Sequence, residues 1–438
     1  MQPEKSKTFI LKSGKCSWSR CIFCGYGKIE GYRPTTENVN KELDRFFSGL
    51  MVEPTQIKVF GSGSFLDKKQ FTKESRMHFL SLCKKHNIKK VLFESRPEFI
   101  TDETLKEFKD TDFTVAIGLE VADNSILKQL KKGITTEQFE KAADTVHKNK
   151  GKVRTYLLVN PPFVKDIEKS LDESVSFALD YSDSIVLINL YPHSNAEMIE
   201  LYLNGKWKPL DRNQFDSITK KWKSNRKIEP DFETFYFLPK IPEKLRSELK
   251  GADEHNLTHP HYEIWQDYFE RFYEPPKIKD TILFLPCAFR KPYSRSKTHR
   301  EILKRIMNLH FYARLHQVMI SNPGVIPREF ESKYPFQSYD WPEWKETEQI
   351  KKKYIEVTQK RIEQYLKAHR YKKHLCYFKP GSESYIALKN ACKKLKIPLT
   401  NLFNSKLYED KETKTNVLIK RKALDAMVIL LKEEIKKS

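Results

Sequence analysis

Long apolar runs are missing from this sequence; nothing in it approaches the ~20 consecutive apolar residues that span a bilayer, so no membrane association is expected. Glycine and proline are thinly spread, 14 and 22 in 438 residues, and no repeat or low-complexity tract occurs, which argues against fibrous and disordered chains. The polar start, residues 1–7, precedes only a short apolar run at 8–11, too brief for the core of a secretory signal. A cytoplasmic protein is expected, and its seven cysteines should then be reduced: ligands, nucleophiles or core fillers rather than disulfides. Acidic residues are also short, 58 against 80 Lys and Arg, but the shortage is local. From Lys277 onward 36 Lys and Arg face 17 Asp and Glu, while residues 1–276 hold 44 against 41. A polyanion such as nucleic acid is the expected partner of that C-terminal third, because each phosphate neutralised releases counterions.

What the sequence does contain is an alternation. Short β-rich runs at 8–11, 56–60, 90–93, 114–117, 152–158 and 184–190 are separated by amphipathic charged stretches, the pattern of βα units around a parallel sheet. Six units predict an α/β fold with an incomplete (β/α)6 barrel over residues 1–210. Residues 211–277 lose the alternation, become rich in aromatics and proline, and are expected to be a connector packed on the barrel. A new apolar strand at 281–285 opens a smaller α/β domain over 278–438, ending in an amphipathic helix near 415–436. In parallel βα folds functional residues gather at the C-terminal ends of strands. The special residues here follow the strands: the loop 13–24, Gly61-Ser62-Gly63-Ser64, Glu94-Ser95-Arg96-Pro97-Glu98, Gly118-Leu119-Glu120 and Asn160-Pro161-Pro162.

The first of these loops places Cys16, Cys21 and Cys24 within nine residues. A closed zinc site needs four ligands and no fourth Cys or His lies nearby, whereas three thiolates on a cuboidal Fe–S cluster leave one iron open. A zinc knuckle with a distant ligand is the bland alternative. The three-cysteine loop resembles that of the radical S-adenosylmethionine (SAM) superfamily, although its spacing is C-x4-C-x2-C where C-x3-C-x2-C is commonest. The resemblance implies a [4Fe–4S] cluster on Cys16, Cys21 and Cys24. It also implies SAM bound at the open iron as the source of a 5′-deoxyadenosyl radical, with Phe23 against adenine. Gly61, Ser62 and Gly63 stand where the superfamily carries a turn whose backbone approaches the methionine amino group. Glu94, Arg96 and Glu120 resemble strand-end residues of the Elongator catalytic subunit and would hold the ribose and carboxylate; their alternative role is to fix loops by ion pairs. With Tyr156 through Phe163, these motifs resemble the radical SAM component of archaeosine synthase over about residues 5–210.

A second motif, Pro286-Cys287-Ala-Phe-Arg-Lys291-Pro292-Tyr293-Ser-Arg-Ser296-Lys-Thr-His299, follows the strand at 281–285. With Pro323 through Glu329 and the stretch 334–340, it resembles the lysine-transferring component of archaeosine synthase over about residues 278–438. That family joins the side-chain amine of free lysine to the nitrile of preQ0 in tRNA. Read from the residues, Cys287 beside Arg290 and Lys291 sits in a basic setting that favours thiolate, and a thiolate could add to a nitrile before an amine displaces it. His299 could carry protons, while Ser296 and Tyr293 could bind the base or the developing anion. Lys291 and Arg290 could instead hold phosphate or the lysine carboxylate. Tyr334, Phe336, Tyr339, Trp341 and Trp344 are candidates for stacking on an extruded base, or else simply core.

Together the two resemblances imply archaeosine biosynthesis in one chain: a lysine transferase acting on preQ0 in tRNA, then a radical SAM C–N lyase that frees the amidine. Free lysine, an electron donor and a base-exchange or RNA-binding partner protein are implied alongside the tRNA. Two alternatives stand beside this reading. One is a radical SAM tRNA-modifying enzyme whose C-terminal domain only binds RNA; the other is a non-catalytic Fe–S RNA-binding protein.

Overall fold

The computed structural model describes residues 6–12, 14–231, 237–404 and 416–437. Contacts divide the chain into two compact units, Met1–Phe237 and Leu238–Ser438. In the first, seven strands follow one another in sequence order: β1 (Ser6–Leu11), β2 (Gln56–Gly61), β3 (Lys90–Glu94), β4 (Asp112–Glu120), β5 (Lys152–Leu158), β6 (Ser184–Ile188) and β7 (Ile228–Pro230). Every neighbouring pair is parallel, and β1 and β7 are the edges, so the sheet is a partial barrel. Six of these strands are those expected from the alternation.

The helices between the strands form for local reasons. Thr36–Ser48 buries Val39, Leu43 and Phe47, spaced by four so that they share one face, and the Thr35 side chain accepts from Asn38 N at its start. Thr136–Lys148 buries Phe139, Ala142, Ala143 and Val146 and begins with a capping box between Thr135 and Gln138. Beneath β2 to β4 the core is aromatic. Phe65, Phe93 and Phe108 follow each other at ring separations of 4.9 Å, which braces the sheet under the strand ends that carry the first site.

The second unit holds a five-stranded sheet. β9 (Thr281–Pro286) lies at its centre between β10 (Leu315–Ser321) and β13 (Lys373–Cys376), with β11 (Gly324–Pro327) and β14 (Thr400–Asn401) at the edges. All pairs are parallel except the β10–β11 hairpin. The chain passes from β9 to one side and returns for β13 on the other, so the strand order reverses at β9. Ligand crevices of open α/β sheets lie outside the strand ends at such a point. A two-stranded pair, β8 (Leu249–Lys250) with β12 (Tyr339–Asp340), lies apart from this sheet. The last helix runs over Arg421–Lys436; the expected start at Thr415 lies outside the described residues.

The stretch 211–277 is not one connector packed on the barrel. Residues 212–219 form a helix and 228–230 add β7 to the first sheet, whereas residues from Leu238 onward belong to the second unit. The helix Pro260–Arg271 buries Tyr262, Ile264, Trp265, Tyr268 and Phe269, and Trp265 packs on Phe336 at 5.2 Å. The aromatic and proline content that hid strand periodicity thus serves two separate cores.

Candidate functional site

Four of the five expected strand-end loops of the first unit, together with Lys132 and Tyr156, line one cavity of about 220 Å³. Cys16, Cys21 and Cys24, Phe23, Gly61 to Gly63, Glu94, Arg96 and Glu120 all stand on its wall. Asn160 does not; its side-chain oxygen accepts from Leu190 N at 2.9 Å and so ties β5 to β6. The three thiols form no disulfide. Backbone N–H groups of Ser19 and Gly27 point at Cys16 Sγ and Cys24 Sγ, at 3.5 and 3.4 Å, contacts of the kind that support cluster thiolates. Among the described residues no three Cys, His, Asp or Glu side chains close on one point as ligands of a single ion would. The thiols instead surround a space. Three free thiols around a cavity, two of them with N–H support, fit a cluster held from three sides.

The electrostatics of this cavity centre on a buried pair. Glu120 closes β4 after a register shift between Gly118 and Glu120, with φ +73°, a left-handed conformation costly for a side chain and frequent at functional sites. The shift brings its carboxylate to Lys132 Nζ at 2.7 Å. Burial, the largest single influence, works to lower the Lys132 pKa, but the Glu120 carboxylate and Cys21 together outweigh it and the net direction is up. A Cβ at Gly118 would sit 2.4 Å from Glu120 Oε1 and 2.9 Å from Lys132 Nζ, so any larger residue there would displace the pair. Glu94 keeps some surface toward the cavity yet is surrounded by protein atoms, and this burial pushes its carboxyl up to about 7 despite a hydrogen bond from Gly61 and the nearby Lys132. Burial likewise raises Cys21 to about 11.

Arg96 is largely committed to the protein. Its guanidinium donates to Glu98 at 2.5 Å, to Lys132 O at 3.0 Å and to Gly133 O at 3.2 Å, and it stacks on Trp18 at 5.1 Å. It locks the cysteine loop to the turn at 131–133, which is the loop-fixing alternative of the sequence reading. Lys132 was missed there, since a lysine in a Lys-Lys-Gly turn carries no motif.

The second unit holds a cavity of about 470 Å³ at the end of β9, lined by Cys287, Lys291, Ser296 and Asn322, with Tyr339, Asp340, Trp341, Glu343 and Trp344 facing them. The motif divides within it. Ser296 Oγ accepts from His299 N at 3.2 Å and caps the helix Lys297–Ile306. Tyr293 is buried off the wall, its hydroxyl 2.6 Å from that of Tyr339, which in turn meets Ser321 Oγ at 2.5 Å. His299 is also off the wall, contrary to the expectation that it moves protons. Arg328 donates to its Nδ1 at 2.8 Å, so Nε2 carries the hydrogen and donates to Pro286 O at 2.9 Å. Burial, then Arg328, hold it down at about 3, locked neutral.

Cys287 departs from expectation as well. Lys291 and a hydrogen bond from Ser321 favour thiolate, but burial dominates and pushes the thiol up to about 11. Lys291 is itself lowered by burial and lies 3.8 Å over the Tyr339 ring. Of the five aromatics, Phe336 is core and Tyr334 hydrogen-bonds His261 at 2.8 Å, leaving Tyr339, Trp341 and Trp344 on the cavity. Phe289, 81% exposed, joins Trp344, 76% exposed, at its lip; it was missed because one aromatic inside a motif has no distinguishing spacing.

Residues 10–174 match the Radical SAM superfamily, and residues 263–418 match a family described as a domain of unknown function, DUF5591. The chain is 30% identical over 225 residues to archaeosine synthase subunit beta of Methanosarcina acetivorans, covering 47% of this chain and 63% of that one. It is 34% identical over 176 residues to the subunit beta of Thermococcus kodakarensis, covering 37% and 54%. With archaeosine synthase subunit alpha of Thermoplasma acidophilum it shares 32% identity over 133 residues, covering 30% and 24%. The chain therefore spans less than two thirds of each of these relatives. One chain thus joins a segment similar to the Radical SAM superfamily, residues 10–174, to one similar to DUF5591, residues 263–418, and the proteins it resembles include both beta and alpha subunits of archaeosine synthase.

Proposed function

We propose that this chain carries out both late steps of archaeosine formation in tRNA. The second unit adds the side-chain amine of free lysine to the nitrile of preQ0, and the first then cleaves the lysine C–N bond to leave the amidine. The observation that carries this reading is the presence of two separate strand-end cavities in one chain, one ringed by three free cysteines and one holding Cys287.

In the first cavity Cys16, Cys21 and Cys24 would hold a [4Fe–4S] cluster, with Phe23, Gly61 to Gly63, Glu94 and the Glu120–Lys132 pair around SAM. When bound and reduced, these cofactors supply a 5′-deoxyadenosyl radical. The chain's own part is to bind, to orient and to exclude water: Arg96 stiffens the cysteine loop, and Gly63 lets Gln70 cross close to the turn, where Gln70 accepts from Ser64 N at 2.9 Å. An electron donor is required from outside the chain.

In the second cavity Arg290, Lys291 and Lys297 suit phosphate or carboxylate, while Asp340 and Glu343 suit an ammonium, so the wall matches a zwitterionic amino acid with a second amine. Phe289 and Trp344 are placed to stack on a base drawn out of the tRNA. Cys287 rests as a neutral thiol, so any covalent adduct to the nitrile needs its proton removed on binding.

The test is anaerobic reconstitution with iron and sulfide, then incubation with preQ0-containing tRNA and lysine, with SAM and reductant added second. A lysine adduct should accumulate before they are added and convert to the amidine after. Cys24→Ala should stop conversion and leave adduct formation intact; Cys287→Ala should lower adduct formation. Wild-type protein that forms no adduct would leave the rival in which the C-terminal unit only binds RNA.

A further inference from the structure

We infer that Asn322 is a further catalytic residue of the second cavity: its side-chain amide holds the nitrile nitrogen of the substrate while the amine adds to the nitrile carbon. The inference deepens the function proposed above and rests on it. β10 runs beside β9 with Ile320 opposite Pro286, so Ser321, the last residue of β10, and Asn322 after it follow on the side of Cys287, and both Asn322 and Cys287 line the cavity. Arg361, on the helix Glu348–Ala368, donates to Asn322 O at 2.8 Å and fixes the backbone there.

Asn322 is only 5% exposed. Ser321 Oγ lies 3.4 Å from its Oδ1. Among the described residues of the cavity wall, Asn322 Nδ2 is the one buried side-chain atom without a hydrogen-bond partner. A buried donor left unpaired is destabilising, a cost that a ligand with an acceptor at that point would remove. The surrounding hydroxyls of Ser321, Tyr339 and Tyr293 are already bonded in a chain, so the free donor belongs to the asparagine.

The chemistry names the acceptor. When an amine adds to a nitrile, its nitrogen forms a bond to carbon and one π pair of the C≡N bond moves onto the nitrile nitrogen. A proton leaves the amine and ends on that nitrogen, so atoms and charge balance with no oxidant or reductant. Negative charge grows on the nitrile nitrogen before the proton arrives. A neutral N–H that meets this nitrogen interacts more strongly with it in the transition state than in the ground state, which is the condition for lowering the barrier.

The experiment uses the full chain, nitrile-bearing tRNA and lysine, without SAM. Asn322→Asp keeps the size and the oxygen but replaces the donor with an acceptor; Asn322→Ala removes both. Each should lower kcat for adduct formation by about 10²–10³-fold, as loss of one transition-state donor does, with KM for the tRNA within about threefold. Melting temperatures identify any variant that fails to fold. A second readout needs no turnover: with lysine omitted, the infrared C≡N stretch of bound tRNA should differ between wild type and Asn322→Ala. An Asn322→Asp protein with more than a tenth of wild-type kcat, or an unchanged nitrile stretch in Asn322→Ala, overturns the inference and leaves the proposed function standing. A wild-type protein that makes no adduct overturns both.

Discussion

A lysine with no motif around it, Lys132, holds the centre of the first cavity. Its ammonium is the buried partner of Glu120, and removing one member of such a pair leaves an uncompensated charge in low dielectric. Lys132→Met should cost about 3–5 kcal/mol by urea unfolding, and adding Glu120→Gln should recover most of it, because the second change removes the stranded charge. His299 shows the opposite case, a group kept neutral. Folded, it titrates at about 3, against about 6.5 when unfolded. Above pH 6.5 neither state is charged; below it the unfolded chain takes up the proton first, so stability is lost as pH falls from 6.5 toward 3, by about 1.4 kcal/mol per pH unit. Gln at 299 keeps an acceptor for Arg328 and a donor for Pro286. His299→Gln should therefore flatten the pH dependence of unfolding between pH 6 and 4.5 by about that slope.

At the scale of elements, both sites depend on how strands end. The bulge at Gly118/Glu120 turns the last residue of β4 into the first cavity, where regular alternation would aim its side chain differently. The end of β9 is set by a helix: Ser296, a member of the second motif, caps Lys297–Ile306 through His299 N. Ser296→Ala should cost about 1 kcal/mol in thermal unfolding, as loss of a cap does, and adduct formation should stay within about threefold of wild type. A loss of 100-fold or more with unchanged stability would instead make its hydroxyl part of the chemistry. The chain Arg328–His299–Pro286 acts at the same scale, tying the β10–β11 hairpin to the residue before Cys287.

For the whole molecule, charge sets the C-terminal third apart from the rest. The excess of Lys and Arg from Lys277 onward should make tRNA binding steeply salt-dependent, with affinity of the full chain falling about 10³-fold or more between 50 and 200 mM salt. Filter binding across that range checks it. Neutralising exposed lysines of residues 277–438 should flatten the slope of log affinity against log salt, whereas the same change in residues 1–276 should not. No helix among the described residues is long and apolar enough to cross a membrane.

Six strands of the first sheet, the strand before Cys287 and the grouping of the cysteine loop with three further strand-end loops were legible in the sequence, because alternation and turn residues act over a few positions. So was the presence of both motifs. Their division of labour was not. That Tyr293 and His299 turn inward while Ser296 caps a helix depends on Arg328, Ser321 and Tyr339, which are distant in the chain and carry no spacing signal. The same holds for Lys132 and Asn322, each meaningful only through a partner or a missing partner. Cys287 was read as thiolate from its basic neighbours in sequence, but burial decides its protonation, and burial is a property of the packed fold. Local residue patterns determined which elements form and where their chemistry-bearing ends lie; only tertiary packing, which sets desolvation and pairs distant polar groups, decided which of those residues remain free to act.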